Sequence, residues 1–278
     1  MMSCYEKAKE IKNNLIKDGL IEEEVVIVNF SGGKDSTAML LRMIELGEKI
    51  DYIIFADTNF EFPLLYEYIN KISTLIGRKI EIVKPSSSFD SWRFGTLTKG
   101  KNKGDIRGFP QVLTPCYWMR ESKVNAIENF GKKFKNKVNC LGIAFDETER
   151  VQKDKSLRYP LIEWGWTEEK CLDYLQEKGL INDLYKHFSR IGCWMCPKQS
   201  SYSRYMLWKH YPKLWGLFKI MESENLKDTN RTIWLKHSSH YEFQYKSGHI
   251  PKDNGKICFE CKGVRKSFTK QTELNKEW

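Results

Sequence analysis

The chain has 278 residues, of which 41% are hydrophobic and 13% aromatic, with a formal net charge of +10 at pH 7. That content fills one large α/β domain, or a core domain with a smaller appendage, and excludes a disordered chain. The positive balance suits either a polyanionic partner or a solvated basic surface, and no stretch approaches the roughly 18 apolar residues of a membrane span.

Ala8, Ile11, Leu15 and Ile16 recur near helical spacing and predict a first helix. "EVVIVNF" is a short β-branched run that reads as a buried strand, and "STAMLLRMIELGEKI" follows with helical periodicity up to Gly47. "DYIIFADT", "PLLYEYINKISTLIG" and "KIEIVKP" then give a strand, a helix and a strand. This alternation predicts a doubly wound α/β fold on a parallel sheet. Residues 86–115, rich in Ser, Gly and Lys, read as one long loop, a length that usually carries function. "CYWMRESKVNAIENF" resumes as a helix, "VNCLGIAF" as a strand and "TEEKCLDYLQEKGL" as a helix. Beyond about residue 185 the alternation stops. The expected organisation is therefore a nucleotide-binding α/β domain over 1–185 and a C-terminal helical, cysteine-rich metal-binding module over 186–278.

"SGGKDS", Ser31 to Ser36, falls between the first strand and its helix, at the edge where open α/β sheets bind ligands. Gly32 and Gly33 let backbone N–H groups approach an anion, and the following helix presents its positive end. Lys34 adds a point charge, and Ser31 and Ser36 add hydroxyls. The pattern reads as a pyrophosphate cradle, against the plainer alternative of a turn in which Asp35 or Ser36 caps a helix.

The motif resembles the PP-loop of the adenine nucleotide α-hydrolase superfamily, whose members cleave ATP between the α- and β-phosphates or bind a related sulfonucleotide. "FADTNFEFPLLYEYI", "LGIAFDETERV" and "RYPLIEWGWTEEKCLDYL" resemble, in order, three segments of the phosphoadenosine phosphosulfate reductase family. The resemblance implies a Rossmann-like fold and a nucleotide site made by Ser31, Gly32, Gly33, Lys34, Asp35, Ser36, Asp57, Thr58, Asp146 and Arg150. Two departures stand out. Ala144 occupies a position where those reductases carry arginine, and their C-terminal "ECGLH" nucleophile motif is missing.

With no apolar leader at its start, the chain is expected in the cytoplasm, where its eight cysteines stay reduced. Metal or catalytic roles then outrank disulfides. Cys193 with Cys196, and Cys258 with Cys261, form two CxxC pairs, each able to chelate through two thiolates. Zinc and a [4Fe–4S] cluster both accept four thiolates, so ligand count leaves the choice open. "IGCWMCP" is similar to the cluster-binding segment of adenylylsulfate reductases, and to a segment of the sulfur-activating subunit of DNA phosphorothioation systems. That likeness favours [4Fe–4S]. Either the two pairs hold the metal and Cys116 stands near the nucleotide, or Cys116 joins Cys193 and Cys196 at a centre with one iron open. Cys4, Cys140 and Cys171 lie in helix or strand patterns and read as core. The five histidines lack metal spacing. The aromatic, basic stretches "SYSRYMLWKHYPKLWGLFK" and "RTIWLKHSSHYEFQYKSGH" can stack bases or simply build core.

Together these features point to an ATP-dependent adenylating sulfurtransferase. Lys34, Asp35 and Cys116 are its catalytic candidates, Mg²⁺ accompanies ATP, and tRNA or DNA is the candidate acceptor. A cysteine desulfurase or sulfide would donate the sulfur. The alternatives are a sulfonucleotide reductase and a non-catalytic nucleic-acid-binding protein with a zinc ribbon.

Overall fold

The computed structural model describes residues 4–18 and 22–253. Helix α1 (Cys4–Lys17) precedes β1 (Val25–Asn29), α2 (Lys34–Glu45), β2 (Tyr52–Ala56), α3 (Pro63–Ile76) and β3 (Glu81–Val83). After a short helix α4 (Phe89–Phe94) come α5 (Tyr117–Met119), a π-helical segment (Arg120–Asn125) and α6 (Ala126–Gly131), then β4 (Lys137–Leu141). The sheet closes with β5 (Leu157–Arg158), flanked by α7 (Pro160–Glu163) and α8 (Glu168–Glu177). Three helices end the described chain: α9 (Ser201–His210), α10 (Pro212–Thr229) and α11 (Ser238–Lys246).

The five strands are parallel, in the order β3-β2-β1-β4-β5. Val28 of β1 pairs with Ile53 on one side and Cys140 on the other. Because strand side chains alternate, both faces of β1 are apolar. Val26 and Val28 pack with Leu40, Leu65, Ile69 and Leu175 of α2, α3 and α8. Ile27 faces the opposite way, with Ile54, Val83 and Ala126. Helices thus cover both faces, as the strand–helix alternation requires. The order reverses at β1, so the crevice between the carboxyl ends of β1 and β4 is the topological switch point, where such sheets bind ligands.

Four sequence readings change. Residues 86–115 are not one open loop. Ser88 caps α4 by accepting from the Ser91 N–H at 3.1 Å, and Phe89 is buried against Phe60, Phe109 and Trp118. The helix read over 116–130 contains a π-helical stretch at Arg120–Asn125, a deviation periodicity does not report. The strand read as 138–145 ends at Leu141, and Gly142 begins a turn. The aromatic stretches beyond residue 200 are mostly core: Tyr205, Trp215, Phe218, Trp234 and Tyr245 are all buried, and Phe218 stacks on Trp234 at 3.9 Å. Burial removes these rings from base stacking. The apolar core also runs on past residue 185, where Phe62 packs 4.8 Å from Phe188 and 5.1 Å from Tyr211. Among the described residues no helix is long and apolar enough to cross a membrane.

Candidate nucleotide and sulfur site

The turn after β1 holds itself shut with its own serines. The Ser36 hydroxyl accepts from the Ser31 N–H at 3.1 Å, lies 2.9 Å from the Ser31 hydroxyl, and donates to the Gly33 carbonyl at 3.1 Å. Gly32 has φ +71°, a backbone conformation that favours glycine, and a Cβ there would press on Leu65 Cδ1 at 2.5 Å. Gly33 starts α2 with extended backbone and no side-chain cap. Ser31 Oγ accepts only a long bond, 3.4 Å, from the Gly33 N–H, so an anion can compete for the positive end of α2. Gly142, after β4, permits the close approach from the other side. A Cβ on it would lie 2.8 Å from the Ser36 Cα and 2.9 Å from its nitrogen.

Lys34 does not project into solvent. Its side chain is buried, with Nζ 2.7 Å from Asp35 Oδ1 and 3.3 Å from Glu168 Oε2. Burial works to lower the ammonium's pKa, but Asp35, Tyr185 and Glu168 together outweigh it and raise it above the ordinary lysine value. The charge is permanent. The Lys34 N–H donates to the Tyr185 hydroxyl at 2.9 Å, and Asn182 Nδ2 donates to the Gly32 carbonyl at 3.3 Å. A segment just before the C-terminal helices therefore braces the loop.

Asp146 and Arg150 sit one step away. Asp146 Oδ1 accepts from the Glu168 N–H at 3.0 Å, at the start of α8, and Arg150 pairs with Glu147 at 2.6 Å. Asp146 reaches the loop through Glu168, which holds Lys34, and not by itself.

Asp57 and Thr58 follow β2 and are buried. Asp57 Oδ1 accepts from the Asn59 N–H at 2.8 Å and from the Tyr66 hydroxyl at 2.7 Å. Thr58 donates to Glu61 Oε1 at 2.9 Å and lies 3.3 Å from Cys193 Sγ. Trp118 Nε1 donates to the Thr58 carbonyl at 3.0 Å, and the Trp194 N–H to the Phe60 carbonyl at 2.9 Å. Buried Glu61 pairs with Lys123 of the π-helical segment at 3.2 Å. The "IGCWMCP" turn is thus fastened to the carboxyl end of β2, one strand from the loop that follows β1. Its far side is held by Trp234 Nε1, which donates to the Cys196 carbonyl at 3.2 Å.

Burial, together with the Glu61 carboxylate, pushes the Cys193 thiol up, and burial also raises Cys116, which half-emerges at the start of α5. Such thiols stay protonated near neutral pH until a metal or a cation claims them. The turn is closed by the Cys196 N–H, which donates to the Cys193 carbonyl at 3.1 Å. Among the described residues, however, no three His, Cys, Asp or Glu side chains form a group able to hold a metal ion. Cys258 and Cys261 lie outside the described residues.

Glu61, Lys123, Gly142, Glu168, Asn182 and Tyr185 escaped the sequence reading. Gly142, directly after a strand, was the one with a local signal, a glycine where backbones meet. The others are brought to the site by tertiary packing alone.

Residues 25–103 match the phosphoadenosine phosphosulfate reductase domain. Two uncharacterized proteins of Methanocaldococcus jannaschii are 26% and 23% identical over 205 and 202 residues, 68% of this chain in each case. The chain spans 40% and 45% of their lengths. Among solved structures, the phosphoadenylyl-sulfate reductase of Candida auris aligns with a TM-score of 0.46 at 16% identity, over 70% of this chain and 97% of its own. The U34-tRNA thiolase NcsA of Methanococcus maripaludis, solved with its [4Fe-4S] cluster, aligns with a TM-score of 0.43 at 15% identity, over 88% of this chain and 89% of its own. The loop Ser31–Ser36 and the turn Asp57–Glu61 both lie inside the segment that matches the phosphoadenosine phosphosulfate reductase domain.

Proposed function

We propose that this protein is an ATP-dependent adenylating sulfurtransferase acting on a nucleic-acid acceptor, tRNA or DNA. The observation that carries the reading is the fastening of Cys193 to Thr58, which sets a cysteine turn beside a glycine-lined helix start on the same sheet edge. One half of that edge suits a nucleotide's phosphates and the other half suits sulfur. The net charge of +10 suits a nucleic-acid acceptor.

ATP would lie with its β- and γ-phosphates on the amides and hydroxyls of Ser31–Ser36. An acceptor oxygen forms a bond to the α-phosphorus as the bond to the pyrophosphate oxygen breaks. The departing charge is met by the α2 amides and by the fixed Lys34 ammonium behind them. Mg²⁺, when bound with the triphosphate, supplies further charge neutralisation. The acceptor oxygen then leaves as AMP when sulfur bonds to its carbon. With sulfide as donor, hydrosulfide makes that bond and loses its proton. With a cysteine desulfurase as donor, a persulfide on Cys116 makes it, and external thiols supply two electrons to cleave the S–S link that results.

A [4Fe–4S] cluster, or zinc, held by Cys193, Cys196, Cys258 and Cys261 would supply a Lewis-acidic centre for sulfur at this edge. In this reading residues 186–278 form the module that carries it, beside the nucleotide-binding domain over 1–185.

The test uses anaerobically purified protein with ATP, sulfide and either tRNA or DNA. Pyrophosphate release with a thiolated nucleic acid is the expected result. Orthophosphate as the sole phosphate product would remove the reading. The matched domain also favours a second reading, a sulfonucleotide reductase, and sulfite with AMP produced from adenylylsulfate, a dithiol supplying the two electrons and no ATP being needed, would establish that one instead.

A further inference from the structure

The insert between β3 and α5 leaves the sheet at its carboxyl edge, the edge that carries both halves of the candidate site. Within it Thr96 and Ile106 bridge antiparallel, the Leu97 N–H donates to the Asp105 carbonyl at 2.9 Å, and the Gly104 N–H to the Leu97 carbonyl at 2.9 Å. The result is a tight hairpin whose tip reads Lys99-Gly100-Lys101-Asn102-Lys103-Gly104. Gly100 and Gly104 take φ +84° and +96° to turn it. Every residue of that tip is exposed, and among the described residues no carboxylate forms an ion pair with Lys99, Lys101 or Lys103.

The hairpin's foot is built firmly. Arg107 donates to the Trp92 carbonyl at 2.6 Å, and Arg231 to the carbonyls of Ile106 and Arg107 at 2.6 and 3.0 Å. The Phe109 N–H donates to buried Asn225 at 2.9 Å. The acidic side chains near the foot, Asp90, Glu224 and Asp228, are already engaged by Arg93. Asp105 is the one acid within the hairpin itself. Phe89 and Trp92 connect this foot to Trp118, whose indole holds the Thr58 carbonyl. Phe94, 49% exposed at the foot, shows a ring to solvent, with Arg93 4.0 Å from its centroid.

We propose that the hairpin Thr96–Ile106 is a nucleic-acid contact that grips the phosphate backbone of the acceptor and holds it over the carboxyl edge of the sheet. The proposal rests on the reading of the acceptor as nucleic acid and adds where it is held. Three unpaired lysines on a glycine-turned tip match a polyanion that asks for charge without a shaped face. They match a protein partner poorly, because lysine is depleted in protein interfaces while aromatic residues and arginine are enriched. Phe94 offers the stacking surface that single-stranded binders combine with such charge.

The experiment follows binding of labelled tRNA, and separately of a labelled DNA duplex, by fluorescence anisotropy from about 50 to about 200 mM salt. It compares the wild type with K99A/K101A/K103A. A control of equal charge, K132A/K133A/K135A, alters exposed lysines between α6 and β4, at the opposite end of the sheet. For duplex DNA the hairpin variant is expected to lose at least about tenfold in affinity at low salt, with a log–log salt slope shallower by about 2 to 3, and the control to lose little. For tRNA the expected change is similar in direction. Equal losses in the two variants would show diffuse attraction and overturn the proposal, as would unchanged binding by the hairpin variant or no binding of either probe at low salt. Pyrophosphate release is read in the same preparations. Intact, hairpin-dependent binding without it would remove the sulfurtransferase reading and leave the contact standing.

Discussion

Lys34 Nζ lies 3.3 Å from Glu168 Oε2, across the packed helices α2 and α8. With Asp35 at 2.7 Å the ammonium is enclosed by two carboxylates and a phenol, away from bulk water. The lysine of the "SGGKDS" motif is therefore a structural strut behind the loop as well as a charge beside it.

Removing that charge leaves carboxylates buried without their counterion. Lys34→Met is expected to lower stability by about 3–5 kcal/mol, the usual result of breaking a buried pair from one side. Glu168→Gln keeps the shape and one acceptor, and should cost less. Urea unfolding of the two variants checks the order. Equal and small losses would mean that the triad is well solvated.

Gly142→Ala tests the approach of the β4 turn to the loop. The added methyl meets the Ser36 backbone at 2.8 and 2.9 Å and the Asp35 carbonyl carbon at 3.2 Å, and backbone cannot rotate aside as a side chain can. A cost of about 1–3 kcal/mol is expected, together with weakened ATP binding as the amides of α2 shift. Isothermal titration with ATP reads the second effect. Unchanged affinity would show that the phosphates do not use these amides.

Acid stability follows from two ion-paired carboxylates, Glu45 at the end of α2 and Glu242 in α11. Lys178 first, and then Tyr174 and Arg42, hold Glu45 down to about 2, while Lys219 and Lys246 hold Glu242 down to about 2. Each folded value lies below the ordinary 4.5, so the ionised form favours folding. That contribution is complete above about pH 4.5 and is lost as pH falls toward 2. Thermal melts of wild type and Glu242→Gln should differ at neutral pH and converge toward pH 2. A constant gap across that range would assign the difference to packing.

Four of the five strands were legible because they carry their own periodicity, whereas the two-residue β5 is too short to show one, and "SGGKDS" was legible because its glycines and serines act within six consecutive residues. What surrounds the loop was not. Glu168, Asn182 and Tyr185 lie far along the chain from the loop they touch, in segments whose local pattern says only helix start or turn. Phe89 and Trp118 likewise look like stray aromatics until the insert folds back and packs them together. Asp146 was placed at the nucleotide by resemblance alone, and its bond to the first turn of α8 could not be read from its local sequence. The CxxC spacing of the cysteine turn was legible, but its attachment to Thr58 depends on the order of the strands.

Tyr185 gives the sharpest test of the loop as an anion site. Its hydroxyl accepts from the Lys34 N–H at 2.9 Å, in the first turn of α2, where an anion would gather donors. Burial pushes the phenol up to about 12, so it stays neutral and acts there as an acceptor at physiological pH. A Cβ on Gly33 would lie 3.4 Å from the same oxygen, which puts the hydroxyl against the loop itself. Tyr185→Phe removes this acceptor without changing the ring. The ATP-free protein should lose about 1–3 kcal/mol, the cost of leaving a buried donor unmatched. If phosphate takes up that donor, ATP should bind about three- to tenfold more tightly to the variant, because binding no longer competes with the phenol. Calorimetry on both proteins separates the cases. A tenfold loss of affinity instead would make the Tyr185 hydroxyl a direct contact of the nucleotide and not its competitor.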